Sequence, residues 1–243
     1  MNRLTLGALA ALAATQVAGC IIHDNTPHDI AHTITATWAL KRVNEAPVAC
    51  PSSISAAVLY TQPVDANGND IGTPGMDVFS CDVGSGVSQP LPPGQYLTWI
   101  EITDDPNSSL YYARSLSAYV DITVEDKTFS TSIYQDGGHF QIGWELQGVS
   151  GRPLECSDVG GIDEIKVTSF LSTSIQGIED RYHCEDHVGI TAPLPNGNYD
   201  VLVDTLDGGN RIGPGYHFAN LQTIFPQNQV TDLGTVLLPI DGL

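Results

Sequence analysis

The sequence predicts an all-β protein made of two tandem β-sandwich domains. Three observations support this fold class. Apolar residues alternate with polar or small residues at the two-residue period of half-buried strands. Turn-forming segments recur between these runs, and no segment after residue 20 carries a sustained helical stripe of apolar residues. An ordered series of rare residues also occurs twice along the 243-residue chain.

The first nineteen residues have the layout of a secretory signal. One basic residue, Arg3, precedes a run of apolar and small residues that is short for a membrane-spanning helix. The run ends Val17-Ala18-Gly19-Cys20, which resembles the lipobox of bacterial lipoproteins. An ordinary cleaved signal with an incidental cysteine is the alternative interpretation.

The lipobox resemblance implies a cut before Cys20 and a lipid on its thiol. Several acyl chains hold a protein stably at a membrane, whereas one chain does so only marginally. Ile21 stands where an inner-membrane retention signal of this family has aspartate. The resemblance therefore implies a lipid-anchored protein of the bacterial outer membrane that faces the periplasm or the cell surface.

Strands are predicted wherever the two-residue alternation is clear. Each copy opens with a strand that contains its tryptophan, whose indole is expected to fill the space between two sheets. Asn-Gly and Asp-Gly pairs between the runs supply the positive φ angle that tight hairpins need. The runs are residues 34–40, 54–60 and 96–102, then 140–146, 165–167 and 199–203, and the turn signals are residues 65–69, 104–107 and 206–210.

The repeat explains why the strands fall into two groups. Each rare residue of the first copy has a counterpart 106 or 103 positions later, so the copies differ by one three-residue deletion. This series predicts a tandem duplication of a domain of about 100 residues, which is a usual domain size. The pairs are Trp38 with Trp144, Cys50 with Cys156, Cys81 with Cys184, and residues 91–96 with 194–199.

The duplication selects one disulfide pattern among three possible pairings of four cysteines. If both copies share a fold, each contains its own bridge, which predicts Cys50–Cys81 and Cys156–Cys184. Closing a loop of about 30 residues stabilises a domain by roughly 3 to 4 kcal/mol in the chain-entropy model. Both disulfides require an oxidising compartment. The expected organisation is a signal peptide (1–19), a lipidated N-terminus and tether (20–32), and disulfide-stapled sandwiches at 33–136 and 137–243.

Two motifs of the second copy carry a further resemblance. Residues 148–154 (GVSGRPL) and the later residues 194–199 (LPNGNY) are similar to the opening and a strand start of the carboxypeptidase regulatory-like, or transthyretin-like, module. The first copy keeps the second motif but has residues 43–48 (VNEAPV) in place of the first. The resemblance implies an Ig-like, prealbumin-like sandwich that serves as an accessory, surface or adhesive domain without catalytic residues.

The net charge disfavours some classes of partner. Cleavage after residue 19 removes Arg3 from the nine basic residues and none of the 28 acidic ones, so the mature chain has a formal charge of 8 − 28 = −20. Such a polyanion repels phosphate backbones and anionic headgroups, which disfavours nucleic-acid binding. The acids are scattered along the chain, as on a solvated surface.

No motif for catalysis or a cofactor is found, and no metal site is predicted. His183 and His187 are the candidates for a metal, because imidazole is a usual zinc ligand. However, Cys184 between them belongs to a predicted disulfide, and two residues four apart on a strand stand more than about 12 Å from each other. The segment from Asp65 resembles the start of a calcium loop, but Met76 occupies its glutamate position, so a hairpin turn is predicted.

Aromatic residues supply the candidates for a ligand site. Trp99 alternates with the inward set of its strand and is therefore expected to point outward, and Tyr111 and Tyr112 follow nearby. Exposed aromatic rings can stack on sugars, whereas packing against the neighbouring domain is the more ordinary explanation. A specific site is best sought where the copies differ, at residues 61–76, at residues 110–119, and at the two candidate histidines.

The sequence favours a non-enzymatic, membrane-anchored lipoprotein with a structural or binding role at the surface or in the periplasm. Its partners would be the membrane, through the lipid, and an unidentified envelope protein or glycan. One alternative is a carbohydrate-binding protein, and another is an accessory subunit of an envelope hydrolase. No cofactor is expected.

Overall fold

The structure, a computed structural model, describes residues 30–106 and 110–240. The signal peptide, Cys20 and most of the predicted tether lie outside the described residues. Within these ranges the chain forms strands and three single-turn 3-10 helices, at residues 81–83, 156–158 and 184–186. The strands of the first half are β1 (Ile34–Lys41), β2 (Ala56–Val64), β3 (Gly75–Ser80), β4 (Ser85–Val87), β5 (Gln95–Thr103), β6 (Ala113–Arg114), β7 (Ala118–Asp121) and β8 (Lys127–Tyr134).

The described part of the second half has ten strands. They are β9 (Gly137–Gly148), β10 (Pro153–Leu154), β11 (Glu164–Leu171), β12 (Gly177–His183), β13 (Val188–Ile190), β14 (Leu194–Pro195), β15 (Gly197–Asp207), β16 (Asn210–His217), β17 (Gln222–Ile224) and β18 (Val230–Ile240). The predicted all-β, disulfide-stapled sandwich class is therefore confirmed.

Each half contains two sheets around its own apolar core. In the first half, one sheet has the order β4-β1-β8, and the other has the order β3-β2-β5 with β6 and β7 paired to β5. In the second half, β9 pairs with β10, β13, β14 and β18, and the facing sheet has the order β12-β11-β15-β16 with β17 paired to β15. The first strand of each half runs parallel to the last one, β1 with β8 and β9 with β18.

The repeated tryptophan and cysteines form one structural unit in each half. Both predicted disulfides, Cys50–Cys81 and Cys156–Cys184, are present. The indole Nε1 of buried Trp38 donates a hydrogen bond to the carbonyl of Cys81 at 3.1 Å, and Trp144 Nε1 donates to the carbonyl of Cys184 at 2.8 Å. The tryptophan thus fixes the short helix in which the second cysteine of each bridge lies.

The repeated Leu-Pro-x-Gly-x-Tyr motif forms a tyrosine corner. The Tyr96 hydroxyl donates to the carbonyl of Pro92 at 2.8 Å, and the Tyr199 hydroxyl donates to that of Pro195 at 2.7 Å. Both rings are buried, and each is anchored to the chain segment that leads into its strand. The motif therefore serves the scaffold, because its one reactive group is used in a backbone contact.

The opening motif of the second copy forms the hairpin between β9 and β10. Gly148 N–H donates to the carbonyl of Arg152 at 2.9 Å, and Gly151 adopts a φ of +78° at the turn. The first copy makes the same kind of turn without glycine, since Glu45 adopts a φ of +65° at the corresponding position. The departure of the first copy from the motif therefore leaves the local backbone path unchanged.

The predicted strands are present, but in one of them the other set of alternating side chains faces the core. The set from Ile54 to Tyr60 was expected to form one apolar face of its strand. In the structure, Ala57 and Leu59 of β2 face the core, whereas Val58 and Tyr60 lie on the outer face beside Glu101 and Trp99. The two-residue pattern misleads here because β2 is apolar on both faces, so the partner strand β5 decides which face is covered.

Candidate functional site

The two candidate metal ligands lie on either side of the short helix at residues 184–186. His183 lines a shallow depression with Glu164, whereas His187 lines a different one that contains Thr235. Both side chains are exposed, and Cys184 between them is part of a disulfide. In residues 30–106 and 110–240, no group of three or more histidine, cysteine, aspartate or glutamate side chains is placed to hold a metal ion.

His187 occupies a backbone position that belongs to glycine in the first copy. Its φ angle is +57°, and that of its counterpart Gly84 is +69°. In both copies the carbonyl at this position accepts a hydrogen bond from the backbone N–H of the buried tryptophan. The distance is 3.0 Å for Trp144 and 2.9 Å for Trp38. The position therefore serves the turn that follows the short helix.

Trp99 points away from the core, but other side chains cover its ring. Tyr60 stacks on it with the centroids 5.0 Å apart and the planes 7° from parallel. The Arg114 guanidinium lies 4.5 Å from the ring centroid, and Trp99 Nε1 donates to Glu101 Oε1 at 3.1 Å. Because β2 and β6 flank β5 on opposite sides, Tyr60 and Arg114 approach from opposite directions. The faces of the indole are thus engaged within the sheet.

The outer sheet face around Trp99 differs in character between the two copies. In the first copy, Met76 and Val78 of β3 are exposed beside Tyr60 and Val58, respectively. The corresponding face of the second copy carries ion pairs. They are Lys166 Nζ to Glu179 Oε1 and to Asp204 Oδ2, both at 3.6 Å, Arg211 Nε to Asp204 Oδ1 at 2.9 Å, and Arg181 Nη1 to Glu164 Oε2 at 2.8 Å.

Tyr111 and Tyr112 lie where the two halves meet, and they have different surroundings. Tyr112 packs against the first core, and its hydroxyl oxygen accepts a hydrogen bond from Gln135 Nε2. Tyr111 is 40% exposed and lines a cleft of about 400 Å³ between the halves. The cleft is also lined by Arg114, Ser115, Leu116 and Ser117 of the first half and by Gln141, Ile190, Asn228, Gln229 and Val230 of the second.

Asn228 connects the two halves at the floor of this cleft. Its side-chain Nδ2 donates to the carbonyl of Arg114 at 2.9 Å, and its Oδ1 accepts from the N–H of Tyr134 at 3.0 Å. The ring of His139 lies against the same amide, with Nε2 at 3.3 Å from Asn228 Oδ1 and Nδ1 at 2.7 Å from the carbonyl of Thr191. Asn228 and His139 are both buried, so this contact is part of the interior.

The short connection between the halves is also fixed by packing. The N–H of Gln227 donates to the carbonyl of Gln135 at 3.0 Å, and that of Asn228 donates to the carbonyl of Gly137 at 2.8 Å. Gly137 and Gly138 leave no room for a Cβ atom, because the backbones of Leu194 and Gln229 lie against them. The connection is therefore a packed element of the junction.

Two titratable groups are perturbed beside the junction, on the edge strand β12. Burial raises the pKa of the Asp180 carboxyl, although the N–H of Ala192, at 2.8 Å from Oδ1, and the nearby His139 act in the opposite direction. Asp180 Oδ2 is buried and has no hydrogen-bond partner in the described part of the chain. Burial, together with the charge of Asp180, raises the pKa of Tyr182 well above its usual range.

The sequence contained a weak signal for the junction. The glycine pair at 137 and 138 indicates a close backbone approach, and asparagine tolerates the left-handed backbone that Asn228 adopts with a φ of +60°. Neither signal shows which half the side chain contacts. Asn228 follows Arg114 by 114 positions, and contacts over such separations depend on the packing of the whole molecule.

Comparisons with known proteins give structural likenesses only. No family model matches the chain, and no curated protein matches it. A leucine-rich repeat protein of Bacteroides thetaiotaomicron is 13% identical with a TM-score of 0.38, and the match covers 86% of this chain and 26% of that one. This chain thus spans about a quarter of the length of that protein.

Two further solved structures are similar over most of their own length. A minor pilin of Streptococcus agalactiae is 14% identical with a TM-score of 0.30, covering 87% of this chain and 97% of that one. The fimbrial anchor protein of Porphyromonas gingivalis is 12% identical with a TM-score of 0.28, covering 77% and 82%. At these scores the likenesses carry no argument about what the chain does.

Among the described residues, no helix has the length and apolar character needed to span a membrane.

Proposed function

We propose that this chain is an exported, lipid-anchored and non-enzymatic protein whose two sandwiches have a structural or binding role in the bacterial envelope. One observation carries the proposal. The two disulfides use four of the five cysteines, and the fifth is Cys20, at the end of the lipobox-like segment. Both disulfides also need the oxidising environment to which a signal peptide leads.

The organisation proposed with this function is a signal peptide at 1–19, a lipidated tether at 20–32, and sandwich domains at 33–136 and 137–243. The separate apolar cores of the two halves support this division. The hairpin at residues 148–154 and the tyrosine corner at residues 195–199 support membership of the carboxypeptidase regulatory-like class of modules.

A non-enzymatic role is supported by the use of the repeated residues. The tryptophans hold the short helices, the cysteines form disulfides, and the tyrosines bond to backbone carbonyls. The groups that recur in both copies are thus occupied by the scaffold. The binding function is accordingly sought at positions that occur in one copy only.

Metabolic labelling tests the anchor. The natural protein, produced in a bacterial host fed a palmitate analogue, should carry the label and sediment with the outer membrane. Cys20→Ser should abolish the label and release the protein into the soluble fraction, because serine has no thiol on which the thioether-linked lipid can form. Ile21→Asp serves as the matched control, since it keeps the lipidated cysteine and is expected to change only the membrane in which the protein resides.

Two results would contradict the anchor. One is a natural protein that is soluble and unlabelled, and the other is labelling that persists in Cys20→Ser. Digestion of intact cells with a protease then separates a surface location from a periplasmic one, because only surface protein is degraded before the outer membrane is opened.

A further inference from the structure

The cleft between the two halves combines residues that neither half provides alone. It is about 400 Å³ in volume, which lies in the range of pockets for small molecules. Segment 111–117 forms one wall, and Gln141, Ile190 and the start of β18 form the other. Segment 111–117 also lies within residues 110–119, one of the places where the copies differ.

The walls of the cleft are held in place before any ligand binds. Asn228, at the floor, bonds to the Arg114 carbonyl and the Tyr134 N–H of the first half and packs on His139 of the second. Val43 of the first half also packs closely on Gly137 of the connection. A preformed cleft loses less conformational entropy on binding than a hinged one.

Three polar side chains of the cleft are free to bind. Within the described residues, the side chains of Ser117, Gln141 and Gln229 make no hydrogen bond to the protein. Two amides and one hydroxyl provide both donors and acceptors, as the hydroxyl groups of a sugar require. Arg114 is the only charged residue among those that line the cleft, and its guanidinium is already oriented over Trp99.

Tyr111 provides the aromatic surface. Its ring is 40% exposed, whereas Trp99 is covered by Tyr60 and Arg114 and Tyr112 packs into the first core. One face of a pyranose ring presents C–H groups that pack on an aromatic ring, while its rim presents hydroxyl groups to amides. We propose that this cleft binds a saccharide of a few pyranose rings, with Tyr111 as the stacking surface and Ser117, Gln141 and Gln229 as hydrogen-bonding partners.

The inference rests on the proposed binding role and is tested on the exported full-length product, purified in detergent from its membrane. The probes are cellotetraose, chitotetraose, maltotetraose and trigalacturonate, measured by calorimetry up to millimolar concentration. At least one probe should bind. Tyr111→Ala should weaken its binding by about tenfold or more, as expected for the aromatic anchor of a site. Gln141→Ala should weaken it less, because one hydrogen bond is lost.

Tyr119→Ala is the matched control, since Tyr119 is 63% exposed and does not line the cleft. This variant should bind the probe as the natural protein does, and Tyr111→Phe should keep most of the affinity because the stacking surface remains. Equal losses in Tyr111→Ala and Tyr119→Ala would overturn the inference. Failure of all four probes to bind the natural protein would also overturn it. So would an NMR spectrum in which the Tyr111 ring signals do not change when a bound probe is displaced.

The result is separable from that of the anchoring experiment. A labelled, membrane-bound protein that binds no probe would overturn the saccharide site and leave the anchor standing. A protein that binds a probe through Tyr111 but carries no lipid would do the reverse. Binding of an unstructured peptide in the cleft, with no response to the sugars, would count against the saccharide as the ligand.

Discussion

Single residues in the two copies occupy the same backbone positions with different chemistry. Glu45 and Gly151 both adopt a left-handed backbone at a hairpin, and so do Gly84 and His187 after the short helices. A residue with a Cβ atom is disfavoured in this region by roughly 1–2 kcal/mol, although histidine tolerates it better than branched residues. His187 therefore stores strain that its counterpart does not.

The exchange of these counterparts gives a prediction at the residue scale. His187→Gly should raise the free energy of unfolding by about 0.5–1 kcal/mol, because relief of the strained φ outweighs the greater entropy of glycine in the unfolded chain. The measurement is urea unfolding of the oxidised protein. A loss of stability in His187→Gly would show that the imidazole makes a favourable contact.

Gly84→His is the reciprocal control and should destabilise the protein. It introduces the same strain, and its Cβ would stand 3.3 Å from the carbonyl oxygen of Trp38. Zinc that raises the melting temperature of the natural protein but not of His187→Gly would instead point to a metal at this position.

At the scale of elements, an inward-pointing aspartate on an edge strand of each copy accepts a hydrogen bond from a backbone N–H beside the facing sheet. Asp77 of β3 accepts from the N–H of Gln89 at 3.2 Å, and Asp180 of β12 accepts from the N–H of Ala192 at 2.8 Å. Inward-pointing charges on edge strands disfavour pairing with another chain. The two contacts differ, because Asp180 has a second, buried oxygen that finds no hydrogen-bond partner within residues 30–106 and 110–240.

This difference predicts a pH dependence of stability. Burial raises the pKa of Asp180, so the folded protein binds the proton more tightly than the unfolded chain does. The stabilising contribution of this group is then fully present below the ordinary aspartate pKa and is lost as the pH rises through the folded value. Asp180→Asn should therefore raise the free energy of unfolding at pH 7, by at most about 1 kcal/mol because the strand is partly exposed.

Chemical unfolding as a function of pH measures this effect. The gain from Asp180→Asn should vanish below roughly pH 3.9, where the aspartate is protonated in both states. Asp77→Asn in the other copy is the matched variant. If the gain in Asp180→Asn were the same at acid and neutral pH, burial of the charge would not be its cause.

At the scale of the whole molecule, the junction decides whether the halves act separately. Residues 135 and 136 alone separate β8 from β9, and Asp136 contacts both halves, accepting from Val43 N–H through Oδ1 and from Asn196 N–H through its carbonyl. With Asn228 and His139 added, the contact between the halves is polar, buried and specific. Such a contact is expected to couple their unfolding.

Asn228→Gly tests the coupling. Glycine keeps the left-handed backbone without strain, so the variant removes only the side chain and leaves the Arg114 carbonyl and Tyr134 N–H without partners. Each such loss costs about 1–3 kcal/mol when the group is buried. Calorimetry should then resolve two unfolding transitions where the natural protein shows one, and proteases should cut between residues 134 and 139 more rapidly.

Gln227→Gly is the control, because Gln227 also adopts a left-handed backbone, with a φ of +69°, and contacts the junction through its N–H. Its unfolding profile should remain that of the natural protein. Independent transitions in the natural protein itself would contradict the coupling.

The local pattern of the chain was sufficient to predict the scaffold. Trp38 and Trp144, with the alternating residues around them, predicted the first strand of each half, and the spacing of the cysteines predicted both disulfides. It was insufficient for β2, whose apolar residues occur on both faces, and for the cleft. Tyr111 was a candidate from its residue type alone, and the roles of Gln141 and Asn228 had no local signature.

The sequence by itself thus determined the all-β class and the pairing of the cysteines, and it predicted the duplication, because alternation and repeat spacing are properties of the chain over short range and over one copy. The tertiary structure alone decided that Trp99 is covered, that His183 and His187 line separate depressions, and that Asn228 joins the halves beneath a cleft. These features depend on which residues meet across two sheets and two cores, and the periodicity of a single strand carries no information about that.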